Sequence, residues 1–527
     1  MGPICLPISE ERSKVADEIK QDWVFVRRSP MSKQRDPIQG EFFNTESITA
    51  PADKLVREAI QNTLDAGADE PARVRVRIYV SGHGGAVSPE QAAPFFEGMW
   101  AHVGACHAEA AQLREEPCRY LVFEDFGTTG LVGDPASYDE PPADERNDFF
   151  YFFRAEGKSG KSGADRGRWG LGKYVFPDAS GINTFFGLTV SDNGSSVASG
   201  PLLMGQAVLE NHKLEGESYE PDGWWSLIAD EVPLPISDSD SIEKFRSVWN
   251  ATRSNDEPGL SVIVPYVKAE LEMSDITRSV VRDYFVAVLS RSLTVDIDSG
   301  EGQGSVHIDA DCLDSVVDTL SDPKEREETR GKAALAKWAL GLESDDFVKV
   351  NLPQGSPGWT PDLIDDVGRS RIQTALTAGD PVAVRVSVSV KRQKDSTPSA
   401  AHFDVLFCAG DAGNNKPFFV REGIIVSEVK SRQLAGIRCM VLVREGALAD
   451  MLGDAEGVAH INWSARTERF KREKYQYGEA WLSFIRASPA KILDIVRGAD
   501  DEVNLTLASE FFSTPESGAG DEGSCDR

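Results

Sequence analysis

LVREAIQNTLDAG, residues 55–67, reads as one amphipathic helix. Glu58, Asn62 and Asp65 are four and three residues apart, so a carboxylate, an amide and a second carboxylate share one helical face. Val56, Ala59, Ile60 and Leu64 form an apolar stripe that can anchor the helix to a sheet while the polar face looks into a pocket. The arrangement suits metal-assisted hydrolysis: one carboxylate orients and deprotonates water, and the amide oxygen holds a hard cation on an anionic substrate. A surface helix with a polar stripe would carry the same residues, so other segments have to decide between the two readings.

Two do. YLVFEDFGTTGL, residues 120–131, is an apolar strand ending in Asp125, with Gly127 and Gly130 behind it, so backbone can approach a ligand beside one fixed carboxylate. GRWGLGKYVF, residues 167–176, sets Gly167, Gly170 and Gly172 before a helical turn that carries Lys173. Backbone amides at a helix start and a lysine make a phosphate site.

In order and spacing these three segments resemble the GHKL ATPases, the superfamily of gyrase, ATP-driven heat-shock chaperones, histidine kinases and MutL proteins; the first is close to a MutL-type N box. The resemblance implies an α/β fold with a Bergerat-type ATP-binding sandwich, and ATP and Mg2+ as cofactors. It implies roles residue by residue. Glu58 would be the general base, Asn62 the magnesium ligand and Asp65 a supporting polar residue. Asp125 would accept the adenine amino group, with Gly127 giving the ring room. Gly170, Leu171, Gly172 and Lys173, with Gly167, would close the end of a lid over the phosphates. PGLSVIVPYV, residues 258–267, is similar to the strand that carries a hydroxyl near the adenine, here Ser261. The spacing Asp125-Phe-Gly-Thr-Thr-Gly130 has one residue more between its glycines than the usual pattern, which leaves the role of Gly130 open.

EGKSGKSGADRG, residues 156–167, invites a P-loop reading that fails on spacing. A P-loop needs glycine five residues before its Gly-Lys pair. Ala155 stands at that distance from Gly160-Lys161, and Phe152 from Gly157-Lys158. A basic Gly/Ser-rich loop is what a lid would look like, with Lys158 and Lys161 reaching phosphates on closure; a plain solvated linker fits it too.

A chain of 527 residues with 40% hydrophobic content has room for two or three globular domains. No apolar run approaches a membrane span and no secretory pattern opens the sequence. Seven scattered cysteines suit reduced thiols, so a cytoplasmic setting is expected. The formal charge of −29 argues against a surface coated for non-specific nucleic-acid binding, although a local basic groove is compatible with it.

Along the chain, residues 1–45 read as an arm with basic Arg27, Arg28, Lys33 and Arg35, residues 46–268 as the ATP-binding domain, and residues 269–345 as a helical connector. Within the connector a helix is expected from Ser274 to Leu293, leading away from the nucleotide domain. Residues 346–510 would form a second, transducer-like α/β domain whose sheet begins at PVAVRVSVSVKR, residues 381–392, and residues 511–527 a disordered tail. In the second domain Arg466 is the first candidate for a basic residue reaching a terminal phosphate, ahead of Lys430 and Lys391, with ordinary surface charge as the alternative for each. A zinc set from His102, Cys106, His107 and Cys118 lacks any paired Cys-x-x-Cys support.

Among the superfamily's branches, the first histidine, His83, follows the N box, which argues against a histidine kinase, and the length leaves no room for gyrase-type strand cleavage. The expectation is a two-domain ATPase of chaperone-like or MORC-like layout. It would hydrolyse ATP slowly with magnesium and close as a nucleotide-dependent homodimeric clamp, within a bacterial defence or DNA-transaction complex by analogy, with a partner protein still to be identified. The alternative is a nucleotide-sensing scaffold that binds ATP without significant turnover and recruits a partner.

Overall fold

The computed structural model describes residues 22–34, 50–68, 73–142, 145–155, 172–192, 200–302, 304–352, 355–457 and 460–498. Lys158, Lys161, Gly167, Gly170, Leu171 and Arg35, and the expected tail, lie outside the described residues. The chain divides into two units, Met1–Arg330 with Glu456–His460 and Gly331–Ala455 with Ile461–Arg527. Both are α/β.

In the first unit the strands are β1 (Trp23–Arg27), β2 (Val74–Val80), β3 (Tyr120–Phe126), β4 (Thr184–Val190), β5 (Leu202–Val208), β6 (His212–Leu214), β7 (Glu217–Trp225), the small pair β8 (Leu227–Ala229) and β9 (Val232–Leu234), then β10 (Gly259–Pro265), β11 (Leu293–Ser299) and β12 (Ser305–Ile308). The large sheet runs β1-β7-β5-β4-β10-β3-β2-β11-β12, with β6 on β7. Every residue of β3 and β4 is buried, as expected of central strands covered on both faces.

Alternation along a strand sends neighbouring side chains to opposite faces. On one face Phe123 of β3 and Phe185 of β4 meet Phe176 of the Val175–Ala179 helix, at ring distances of 6.1 and 6.2 Å, and that helix packs on the Pro51–Asp65 helix. On the other face Tyr120, Val122, Phe186 and Ile263 join Phe95, Phe96, Met99, Phe245 and Trp249 in a second aromatic core. Asp125 therefore belongs to the face of the Pro51–Asp65 helix, and Glu124 to the other.

The expected connector is a correction. The Met273–Leu289 helix ends before Leu293 and packs back on the Pro51–Asp65 helix, where Arg57 and Asp283 pair at 3.2 Å. β11 then lies parallel to β2 and β12 antiparallel to β11, so one sheet continues past residue 268 and the first unit runs to Arg330. The reason is local: LTVDIDS buries Leu293, Val295 and Ile297 in strict alternation, a strand period rather than a helical one. The helix is a crossover connection between parallel strands β10 and β11.

The second unit contains β13 (Phe347–Asn351), β14 (Val382–Val390), β15 (Ser399–Asn415), β16 (Phe418–Arg421), β17 (Ile424–Val426) and β18 (Leu434–Val443), in the order β13-β14-β15-β18-β16-β17. Its core joins Val384, Val386, Phe403, Val405 and Val441 of the sheet to Leu448 and Leu452 of the Ala447–Asp454 helix and to Trp481, Ile485 and Ile492 of the Gly478–Arg497 helix.

Candidate functional site

Pro51 in the first turn and Asp53 beside it start the first helix well, since proline loses no needed donor there and a carboxylate suits the helix dipole. It ends at Asp65, where Ala66 leaves helical geometry. Leu55, Val56, Ala59, Ile60 and Leu64 are buried as the apolar stripe requires. Glu58 is buried as well, with 5% exposure. The turn at Gly172–Tyr174 comes directly over it: a Cβ on Gly172 would lie 2.5 Å from Glu58 Oε2 and 3.2 Å from Asn62 Nδ2. Two segments more than a hundred residues apart thus meet at the carboxylate and the amide. The Asn62 side chain is half-buried. Gln61 beside it, 1% exposed, has no hydrogen-bond partner for its side-chain amide among the described residues.

The Asp125 loop is tied to the C-terminal end of that helix. Ala68 N donates to Gly127 O at 3.0 Å, Thr129 N donates to Ala66 O at 3.0 Å, and Gly67 bridges Thr128. Gly127 is held at φ +75°, and a Cβ there would lie 2.6 Å from Arg73 O, so the fold itself demands glycine. Gly130 is likewise at φ +65°, where a Cβ would run into Val190 O. The extra residue between the two glycines is accommodated by Thr128, whose Oγ1 donates to Asp125 Oδ1 at 2.6 Å. Leu260 N donates to the same oxygen at 2.8 Å. Oδ2 accepts no hydrogen bond from a described residue. Burial pushes the Asp125 carboxyl above the ordinary carboxylate range, against the opposing pull of Arg253, Thr128 and Leu260.

Behind Asp125 lies a polar network with no sequence motif. The Glu124 carboxylate, fully buried, accepts from Arg77 Nη1 at 2.8 Å, Thr252 Oγ1 at 2.6 Å and Ser261 Oγ at 2.8 Å. Burial works to raise its pKa, but the hydrogen bonds from Thr252 and Ser261 and the Arg77 charge outweigh it and hold the group below the usual range. Ser261 stands opposite Glu124 in the β3–β10 register and accepts from Arg253 Nε at 3.0 Å, so its hydroxyl is committed to the face away from Asp125. The Ser261 hydroxyl expected near the adenine is thus bonded to Glu124 and Arg253.

Lys173, expected at a phosphate, is a buried residue. Its ammonium donates to Tyr151 O at 3.1 Å and to Ala155 O, at the C-terminal end of the Asp148–Phe153 helix, where a cation suits the helix dipole. Arg466 and Lys430 are exposed in the second unit, and Lys391 there donates to Ser396 O at 3.3 Å. The zinc set is not assembled: His102 Nδ1 meets His212 Nε2 at 2.8 Å and stacks on Phe25, Cys118 accepts from Tyr266 N, and no group of three metal-binding side chains occurs among the described residues.

No protein-family model and no curated protein matches the chain. Among solved structures it is similar to the 43K ATPase domain of Thermus thermophilus gyrase B in complex with an aminocoumarin, at 12% identity and a TM-score of 0.32, covering 84% of this chain and 88% of that one. It is similar also to the ATPase and transducer domains of DNA topoisomerase II from Balamuthia mandrillaris, at 9% identity and a TM-score of 0.35, covering 85% of this chain and 84% of that one. The reading of the site therefore stands on the residues themselves.

Proposed function

We propose that the first unit binds a magnesium adenine nucleotide and hydrolyses ATP slowly, with Glu58 as general base. The observation that carries this reading is the meeting of Gly172 with Glu58 and Asn62, 2.5 and 3.2 Å from a Cβ at that glycine, on a helix whose end is bonded to the Asp125 loop. In this reading the buried carboxylate draws a proton from water, the amide holds a cation and the Asp125 carboxylate takes a base amine.

The residues fit the groups the reading requires. Asn62 would offer the oxygen of its half-buried amide as one ligand of a hard cation. With no three-residue metal set among the described residues, the remaining ligands would be phosphate oxygens and water, the usual habit of magnesium. When bound, magnesium supplies neutralisation of phosphate charge. Asp125 Oδ2 would accept from an exocyclic amine, while Thr128 and Leu260 hold Oδ1. Glu58 orients a water and takes its proton. The clamp cycle, dimerisation and a place in a defence or DNA-transaction complex belong to the same proposal and rest on analogy.

One observation favours the second reading, a scaffold that binds nucleotide without significant turnover. Lys173 donates to the Tyr151 and Ala155 carbonyls and would have to leave them to reach a phosphate.

Calorimetric titration with ATP and with GTP tests the binding step. Asp125→Asn should weaken ATP binding by ~10-fold or more, the worth of a hydrogen bond to a charged group. Equal affinity of the two proteins for ATP would remove Asp125 from the site.

A further inference from the structure

We propose that Arg253 is the positioning residue of the base-reading carboxylate, fixing Asp125 so that Oδ2 alone is presented to the base; this rests on the nucleotide-binding reading above. Arg253 is 1% exposed and belongs to no motif. Its guanidinium has five N–H donors, and each has an acceptor: Nε to Ser261 Oγ at 3.0 Å, Nη1 to Glu257 O at 3.1 Å and Pro258 O at 2.9 Å, Nη2 to Leu260 O at 2.9 Å and to Asp125 O. Nη2 also stands 3.8 Å from Asp125 Oδ1. One rigid fork therefore joins the end of β3 to the turn that enters β10, and only a planar, multiply donating cation can do so.

Gly259 closes the arrangement. It is held at φ +137°, and a Cβ there would lie 2.5 Å from Arg253 Nη1, 2.5 Å from Asp125 O and 2.7 Å from Asp125 Oδ1. No side chain fits between the arginine and the aspartate, so the Leu260 amide comes close enough to bond Oδ1. With Thr128 on the same oxygen, the protein fills one carboxylate oxygen and leaves the other. An oxygen that only accepts selects a base bearing an N–H donor there and rejects one bearing a carbonyl.

A positioning role has a signature in pH. The charged groups around Asp125 are Arg253 and Glu124, with Glu257 and Arg246 acting on Arg253, and Asp65 ending the helix whose following loop bonds to Gly127 and Thr128. Arg253 opposes the upward push of burial on Asp125. Without that charge the carboxyl takes a proton at higher pH. Oδ1 already accepts two hydrogen bonds, so the proton goes to Oδ2 and turns the acceptor into a donor.

The test is ATP affinity of the full chain from about pH 8 to about pH 6, for the unaltered protein, Arg253→Gln, Arg253→Lys and Thr128→Val, with circular dichroism to check folding. Arg253→Gln should begin to lose affinity at a higher pH than the unaltered protein as the pH falls, because the charge that opposes protonation of Asp125 is gone. Arg253→Lys, which keeps the charge, should bind more weakly but follow the unaltered pH profile, and Thr128→Val should shift the profile in the same direction as Arg253→Gln. Profiles that superimpose in folded variants, with ATP bound by the unaltered protein, would overturn the positioning role alone. Failure of the unaltered protein to bind ATP would overturn the nucleotide reading and this inference with it. Should Arg253→Gln not fold, Thr128→Val and Arg253→Lys decide.

Discussion

Glu58 and Gly172 show how a residue's neighbours set its chemistry. Glu58 is a carboxylate on a helix that packing covers on all sides, and the backbone turn at Gly172 comes within side-chain reach of it. Gly172→Ala adds a single methyl group 2.5 Å from Glu58 Oε2, at a position whose backbone tolerates alanine. Displacing a catalytic carboxylate by a fraction of an ångström should lower kcat by ~10- to 100-fold, with a smaller change in KM. Steady-state kinetics check this, and an unchanged kcat would separate the glycine from the reacting centre. The shared helix of Glu58 and Asn62 and the strand-end position of Asp125 were legible in the sequence, because each lies in a short segment whose period is clear. Arg253, Thr128 and Glu124 were not: what matters about them is contact across 128, 3 and 137 residues of chain with Asp125 or Ser261, and of these only the Thr128 contact is local. The side of the strand taken by the Ser261 hydroxyl was not legible for a related reason, since strand register, which decides the face, depends on the partner strand.

Two helices hold the site from behind. Arg57, next to Glu58 in sequence, pairs with Asp283 at 3.2 Å, Arg282 bonds the same carboxylate at 2.7 Å, and the Tyr284 hydroxyl donates to Arg57 O. Burial acts to raise the Asp283 pKa, but Arg57 and Arg282 more than offset it and keep the carboxylate below its ordinary value. A depressed folded-state pKa means the group's stabilisation is present above the unfolded value and is lost as pH falls through the folded one. Asp283→Asn should therefore cost ~3–5 kcal/mol near neutral pH, the cost of breaking a buried pair, and less in acid, where the aspartate would be protonated in any case. Urea unfolding at two pH values measures it; an equal loss at both would mean the charge is not what matters. The Met273–Leu289 helix itself was legible from its apolar spacing, but its destination was not. Which way a crossover returns is decided by the strand after it, and the parallel pairing of LTVDIDS with β2 is a long-range contact that no local period shows.

At the scale of the molecule, the two α/β units and the strand Val382–Val390 of the second sheet followed from apolar patterning, whereas the first unit extends past residue 268 to Arg330 because two further strands join the first sheet. A nucleotide-driven clamp predicts a change in association: light scattering should show the mass doubling with magnesium and a non-hydrolysable ATP analogue, and a monomer throughout would argue for a scaffold acting as a single chain. The central claim is hydrolysis at Glu58, and phosphate release from ATP with magnesium tests it most directly, comparing the unaltered protein with Glu58→Ala. Slow release by the first, abolished in the second while nucleotide stays bound, is the predicted result. Release that continues undiminished in Glu58→Ala would contradict the assignment.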